Sequence, residues 1–241
     1  MRRSMLTVVV PTRNEERTVG GVLREILRHV RPPLEILVVD ASTDGTARVV
    51  RRLAAQHRCV RLVPQDGRGW TAAFATGLAA ARGEALAVVV ADGSDAAADI
   101  EPMRRLLDAG FDLVCASRYM RGGKALRAPS LQGVCSPLLS KGLGALLRIP
   151  TRDLSSSFKM YRTRLLRSLP LRDAGYATSM QLALRAWQAG WRITEVPTTW
   201  TDRRAGSSKF VPLAEARHYL FWSLWALRQG ARAGQAAGRQ P

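Results

Sequence analysis

Two aspartates stand at the ends of apolar, β-branched runs. Residues 85–90 read Ala-Leu-Ala-Val-Val-Val and stop at Ala91-Asp92-Gly93-Ser94-Asp95, while residues 34–39 read Leu-Glu-Ile-Leu-Val-Val and stop at Asp40. Runs of this kind read as buried parallel strands. In open α/β sheets, ligands bind in the crevice outside the carboxyl ends of the strands. A carboxylate delivered there, beside a diphosphate, can hold a hard divalent cation through few protein ligands. A further apolar run, residues 5–10, ends in Pro11-Thr12-Arg13-Asn14-Glu15, and Gly67-Arg68-Gly69 precedes a stretch of small residues. These features point to a nucleotide pocket, in which a carboxylate accepts hydrogen bonds from a base or ribose while Arg13 and Arg68 face phosphate. The chain carries no G-x-G-x-x-G and no Walker A pattern. Neither a dinucleotide oxidoreductase nor a P-loop enzyme is therefore supported.

The elements that must position these groups alternate. Strands are expected over residues 5–10, 34–40, 59–63, 85–90, 111–116, 156–161 and 191–196. Helices are expected over 45–57, 70–81, 100–109, 138–147, 178–189 and 212–229, with a first helix opening on the acidic turn Asn14-Glu15-Glu16. Strands separated by single helices at this spacing give a parallel sheet. Residues 121–129 and 201–209 are rich in glycine, serine and basic residues and read as loops. Residues 1–210 then form one domain, 211–230 a C-terminal amphipathic helix loaded with aromatics, and 231–241 a frayed tail. Tyr219, Leu220, Phe221, Trp222, Leu224 and Trp225 wrap most of that helix, which suits core packing, an oligomer interface or insertion at a membrane interface.

The chain has 241 residues, 46% hydrophobic and 23% charged, ordinary for a globular protein. Its formal net charge of +18 is carried mostly by arginine. Such a field favours nucleic acid, an anionic membrane surface or phosphorylated substrates. The arginines are spread through helices and loops rather than grouped in a recognition motif, which argues against nucleic acid. Cys59, Cys115 and Cys135 show no ligand-like spacing and read as reduced thiols. The apolar run after Arg2-Arg3 is too short for a signal peptide, and no run approaches the roughly 18 apolar residues that span a bilayer. The expected setting is cytoplasmic, free or peripheral at the inner membrane face.

Taken in order, these motifs resemble the family 2 glycosyltransferases of the GT-A fold, in particular the dolichol-phosphate and polyprenyl-phosphate mannosyl- and glucosyltransferases. The resemblance covers about residues 6–210 and also draws on Ser117-Arg118-Tyr119, on Asp153-Leu154-Ser155-Ser156-Ser157-Phe158-Lys159, and on Arg203, Gly206, Ser208 and Lys209. It implies a mostly parallel, Rossmann-like α/β sheet flanked by helices, and inverting transfer of a hexose from a nucleotide-diphosphate sugar of GDP-mannose or UDP-glucose type. It also implies that Pro11, Thr12, Arg13, Glu15, Asp40, Arg68 and Asp92 line the donor. Asp92 and Ser94 would take a Mg or Mn ion, Arg118, Arg203, Ser208 and Lys209 the phosphates and acceptor, and Asp153 would be the catalytic carboxylate facing the sugar.

Two positions depart from that family. Ala41 and Val90 stand where it commonly has acids, so the metal site is half a clamp: Asp92 holds the ion alone, Asp95 assists, or arginines replace the ion. The implied acceptor is a polyprenyl-phosphate lipid. A hydroxyl on a small soluble acceptor is the alternative, with Asp153 as base, and a degenerate nucleotide-sugar binder is a third reading.

Overall fold

The computed structural model describes residues 3–126, 131–203 and 211–237. In chain order the elements are β1 (Leu6–Thr12), α1 (Val19–His29), β2 (Leu34–Asp40), α2 (Thr46–Gln56), β3 (Val60–Pro64), α3 (Gly69–Ala80), β4 (Ala85–Val88), α4 (Ile100–Asp108), β5 (Leu113–Ser117) and β6 (Lys124–Leu126). They continue with α5 (Leu131–Leu146), β7 (Lys159–Arg162), α6 (Thr163–Ser168), α7 (Thr178–Gln188), β8 (Ile193–Pro197), β9 (Thr199–Thr201) and α8 (Pro212–Ala237).

The main sheet runs β3-β2-β1-β4-β7-β5-β8. The apolar runs lie at its centre, with Val8, Val9, Val10, Leu37, Val38, Leu86 and Ala87 sealed from solvent, because a sheet covered on both faces leaves no side of a strand for polar residues. Helix α3 approaches closely: a Cβ on Gly77 would lie 2.6 Å from Val9 Cγ1, so only glycine fits there. In register, Thr12 at the end of β1 faces Asp40 at the end of β2. The carboxyl ends of β1, β2 and β4 thus form one edge.

The sheet is mostly parallel, as the resemblance implies, with β7 entering antiparallel between β4 and β5. Other expectations are corrected. Strand β4 stops at Val88, two residues before the expected end. Helix α1 begins at Val19 with no acidic residue in its first turn. Asn14 takes a left-handed φ of 59°, and its side-chain oxygen accepts the Thr43 amide at 2.8 Å, so the acidic stretch is a turn braced against the β2–α2 connection. Residues 124–126 of the first expected loop pair in parallel with residues 199–201 as a small ribbon, β6 with β9, while residues 127–129 and 204–209 of the two expected loops lie outside the described residues. Helix α8 runs on through Ala237, over residues expected to be tail. No helix among the described residues is long and apolar enough to cross a membrane.

Candidate functional site

A cleft of about 460 Å³ opens at that edge. The end of β1 supplies Pro11, Thr12, Arg13 and Glu15; the residues after β4 supply Val90, Ala91 and Asp92; and the turn before α3 supplies Gln65, Gly67, Arg68, Gly69 and Trp70. Tyr176 and Arg203 close it from the second half of the chain. Gly67 and Gly69 have φ of 76° and 86°, a left-handed conformation that glycine adopts without a Cβ penalty. Gln65 Nε2 donates to both of their carbonyls, at 3.3 and 3.0 Å, fixing the turn.

Trp70 stacks on Tyr176 with ring centroids 5.5 Å apart. The Trp70 indole N–H is buried and meets no acceptor among the described residues. Buried donors are nearly always satisfied, so this one is suited to a ligand oxygen. Tyr176 is fixed from behind: its backbone N–H donates to Glu215 Oε2 of α8 at 2.9 Å, and Tyr219 Oη donates to its carbonyl at 3.3 Å. Burial raises the Tyr176 phenol pKa, with the Glu215 charge adding to it.

Asp92 is half-buried at the lip of the cleft. Its Oδ1 accepts the Ser94 amide at 3.1 Å, and its Oδ2 accepts from Arg203 Nη2 at 3.1 Å. Asp40 does not line the cleft. It accepts from Thr12 Oγ1 at 2.7 Å and from the Ser42 amide and hydroxyl, which braces the turn after β2. Ser94 is buried, outside the cleft lining, and reaches Asp92 through its backbone. Ser208 and Lys209 lie outside the described residues.

Beside the cleft sits a buried ion pair. Arg118 Nε donates to Asp153 Oδ2 at 2.6 Å and Nη2 donates to Oδ1 at 2.8 Å, the bidentate fork that suits a planar carboxylate. The Arg118 amide, the Ser155 hydroxyl and the Ser156 amide also donate to Asp153. Burial pushes the Asp153 pKa up, but the hydrogen bonds and charge of Arg118 outweigh it, and the carboxyl ends below its ordinary range. Burial likewise opposes the Arg118 charge, yet Asp153 more than restores it.

The loop carrying Asp153 is tied from beneath by Lys159, wholly buried, whose ammonium donates to Leu154 O at 3.0 Å and to Ser156 O. Asp95 completes the acidic group: its Oδ2 accepts the Val90 amide at 3.0 Å. Burial is the main cause that pushes its pKa to about 7, with the charges of Asp92 and Asp153 adding to it. Asp95 therefore reaches the backbone of position 90, where the family commonly has an acid and this chain has valine.

No group of three or more His, Cys, Asp or Glu residues among those described could hold a metal ion by itself. The donor set still fits a hard cation of the Mg or Mn kind, because Asp92 presents carboxylate oxygens at the lip and diphosphate oxygens commonly complete such a shell. Gln65, Trp70 and Tyr176 are cleft residues whose place the sequence motifs did not reveal. The signal for Trp70 was its position directly after Gly67-Arg68-Gly69; Tyr176 reads from sequence as core or as lining of an acceptor channel, and Gln65 carried no signal.

An α/β sheet with a strand-end aspartate, arginines and an aromatic pair around one cleft is the architecture of a GT-A glycosyltransferase. The model of glycosyl transferase family 2 matches residues 7–169, and the chain belongs to that family. It is 32% identical over 213 residues to polyprenol monophosphomannose synthase of Mycolicibacterium smegmatis, covering 84% of this chain and 79% of the relative. To the undecaprenyl-phosphate mannosyltransferase of Micrococcus luteus it is 33% identical over 213 residues, covering 83% and 85%. Among solved structures, glucosyl-3-phosphoglycerate synthase from Mycobacterium tuberculosis, in complex with Mn2+, uridine-diphosphate and glucosyl-3-phosphoglycerate, superposes with a TM-score of 0.67 at 22% identity. That match covers 94% of this chain and 80% of the other. The protein is a glycosyltransferase.

Proposed function

We propose that the chain moves a hexose from a nucleotide-diphosphate sugar to the phosphate of a polyprenyl-phosphate lipid in a single displacement. An acceptor phosphate oxygen attacks the anomeric carbon, the bond from that carbon to the diphosphate breaks, and the nucleoside diphosphate leaves from the opposite face, inverting the centre.

The observation that carries this reading is the Arg118–Asp153 pair. A hydroxyl nucleophile would need a carboxylate to take its proton, yet both oxygens of Asp153 are committed to Arg118 and its pKa is held low. A phosphomonoester has its second pKa at about 6 and is already anionic at neutral pH, so it needs no strong base. Asp153 then acts as a positioning residue that holds Arg118 rigid toward phosphate. Arg13, Arg68 and Arg203 receive the donor diphosphate, and the Trp70 and Tyr176 rings face the donor across the cleft. Asp92, with Asp95 beside it, would take the divalent ion, which when bound neutralises charge on the leaving diphosphate. The names of the two curated relatives support the acceptor class.

Radiolabelled GDP-mannose and UDP-glucose, offered in turn with a polyprenyl phosphate, the neutral polyprenol and a soluble sugar alcohol, test the reading. Transfer to the phosphate alone is expected; transfer to the alcohols and not the phosphate overturns it. Because position 90 is valine, activity should fall in chelator and return with Mn or Mg at higher concentration than a two-carboxylate site needs. Full activity in chelator would overturn the metal assignment.

A further inference from the structure

A second cavity, about 770 Å³, lies under α5 and against β8. Its lining includes Tyr119, Lys141, Arg148, Thr151, Arg152 and Glu195. The acid is already satisfied: Glu195 accepts from the Arg152 guanidinium at 2.8 Å, the Arg152 amide at 2.7 Å and the Thr151 hydroxyl at 3.2 Å. Lys141 and Arg148 meet no carboxylate among the described residues. The cavity therefore has uncompensated positive charge.

The backbone at Arg148 adds a second observation. After α5 the Leu147 amide donates to Leu143 O, the Arg148 amide to Ala145 O and the Ile149 amide to Gly144 O. This is the wrapped helix end whose left-handed position is usually glycine. Here arginine occupies it at φ 53°, a conformation that disfavours a residue with a Cβ. The strain aims a cation at the cavity rim, and strained positions of this kind cluster at ligand sites.

The cavity shares a wall with the ion pair already described. The Tyr119 ring lies 4.9 Å from the Arg118 guanidinium carbon and 5.8 Å from the Lys141 ammonium. Its hydroxyl is 2.9 Å from Ser136 Oγ, which is 2.7 Å from Ser155 Oγ, a partner of both Arg118 and Asp153. On α5, Leu138 and Leu146 are 74% and 70% exposed on either side of Lys141. Cations flanked by exposed leucines match an anionic head with an alkyl chain better than a free anion.

We propose that this cavity is a phosphate-binding subsite that captures the phosphomonoester of the acceptor, with Arg148 and Lys141 as its cations, before the acceptor reaches Arg118. The subsite rests on the polyprenyl-phosphate reading above, and its test separates the two.

Binding to the full chain is measured with a short-chain polyprenyl phosphate in detergent, the matching neutral polyprenol, inorganic phosphate, and nucleoside diphosphate. Arg148→Gly is the principal variant, because glycine suits the left-handed position and the protein should unfold at the same temperature or higher. Lys141→Glu is the second. Each variant is expected to weaken lipid-phosphate binding roughly tenfold, the scale of one charge-assisted contact to phosphate, with nucleotide binding unchanged. Wild-type affinity in both variants overturns the subsite and leaves the acceptor reading standing. If the wild type binds inorganic phosphate as tightly as lipid phosphate and both weaken in Arg148→Gly, the anion subsite stands and its lipid assignment falls. Failure of the wild type to bind either phosphate overturns the subsite.

Discussion

Asp92 and Asp153 each meet an arginine, and burial makes the two pairs unequal. Asp153 is sealed, with the Arg118 side chain 10% exposed, whereas Asp92 and Arg203 keep 15% and 25%. Removing one partner of a buried pair strands the other charge, so Asp153→Ala should cost about 3–5 kcal/mol in a denaturant titration. Arg203→Ala should cost at most about 1 kcal/mol, as for pairs that water still reaches. Because the folded Asp153 pKa lies below its unfolded value of about 3.9, its contribution is complete above that pH. It drains away as pH falls through the lower, folded value, so acid unfolding of Asp153→Asn should show a shallower pH dependence. The Cys115 thiol, pushed up to about 11 by burial, stays protonated at neutral pH. Iodoacetamide at pH 8 should leave it unlabelled in the native protein and modify it only after unfolding.

At the level of elements, α8 and the turn before α7 form one unit with the cleft at the sheet edge. Glu215 accepts the Tyr176 amide, and a Cβ on Gly175 would lie 2.4 Å from Glu215 Oε2. Glu215→Ala leaves that amide unpaired and frees the Trp70–Tyr176 stack to shift, so nucleotide affinity should fall several-fold in a calorimetric titration. Gly77→Ala drives a methyl into Val9 and should destabilise by about 1–3 kcal/mol.

The same scale shows what could be read in advance. The strands leading to Asp40 and Asp92 were legible because full burial forces an apolar run and a ligand edge stops it. The direction of β7 was not: four residues, Lys159–Arg162, carry the same side-chain alternation in either orientation. Strands β6 and β9 are three residues each, too short for any period to show. Tyr176 reads in sequence as core or as lining of an acceptor channel; its neighbours Ala177 and Met180 are buried, and the stack on Trp70, 106 residues earlier in the chain, brings Tyr176 to the cleft.

The molecule as a whole carries a formal charge of +18, and α8 leaves Leu220, Phe221 and Leu224 at 61%, 53% and 47% exposure. A positive body with exposed apolar groups on one helix is suited to an anionic bilayer surface. Co-sedimentation with phosphatidylserine vesicles is expected at low salt and should weaken as salt shortens the Debye length to about 3 Å near 1 M. Phe221→Glu should weaken it further, since it removes an insertion group as well as adding like charge to the lipid.

The antiparallel entry of β7 also governs how the chain must be made. Strands β4 and β5 are separated by β7, and β5 is closed on its other side by β8. During synthesis, the first four strands can assemble long before residue 159 leaves the ribosome, and β4 then waits with a bare row of amides and carbonyls. A waiting edge of this kind invites pairing with a neighbouring chain. Fragments ending before β7 should aggregate, and the half of the molecule that forms the cleft edge should become soluble only when β7 has arrived to close the sheet.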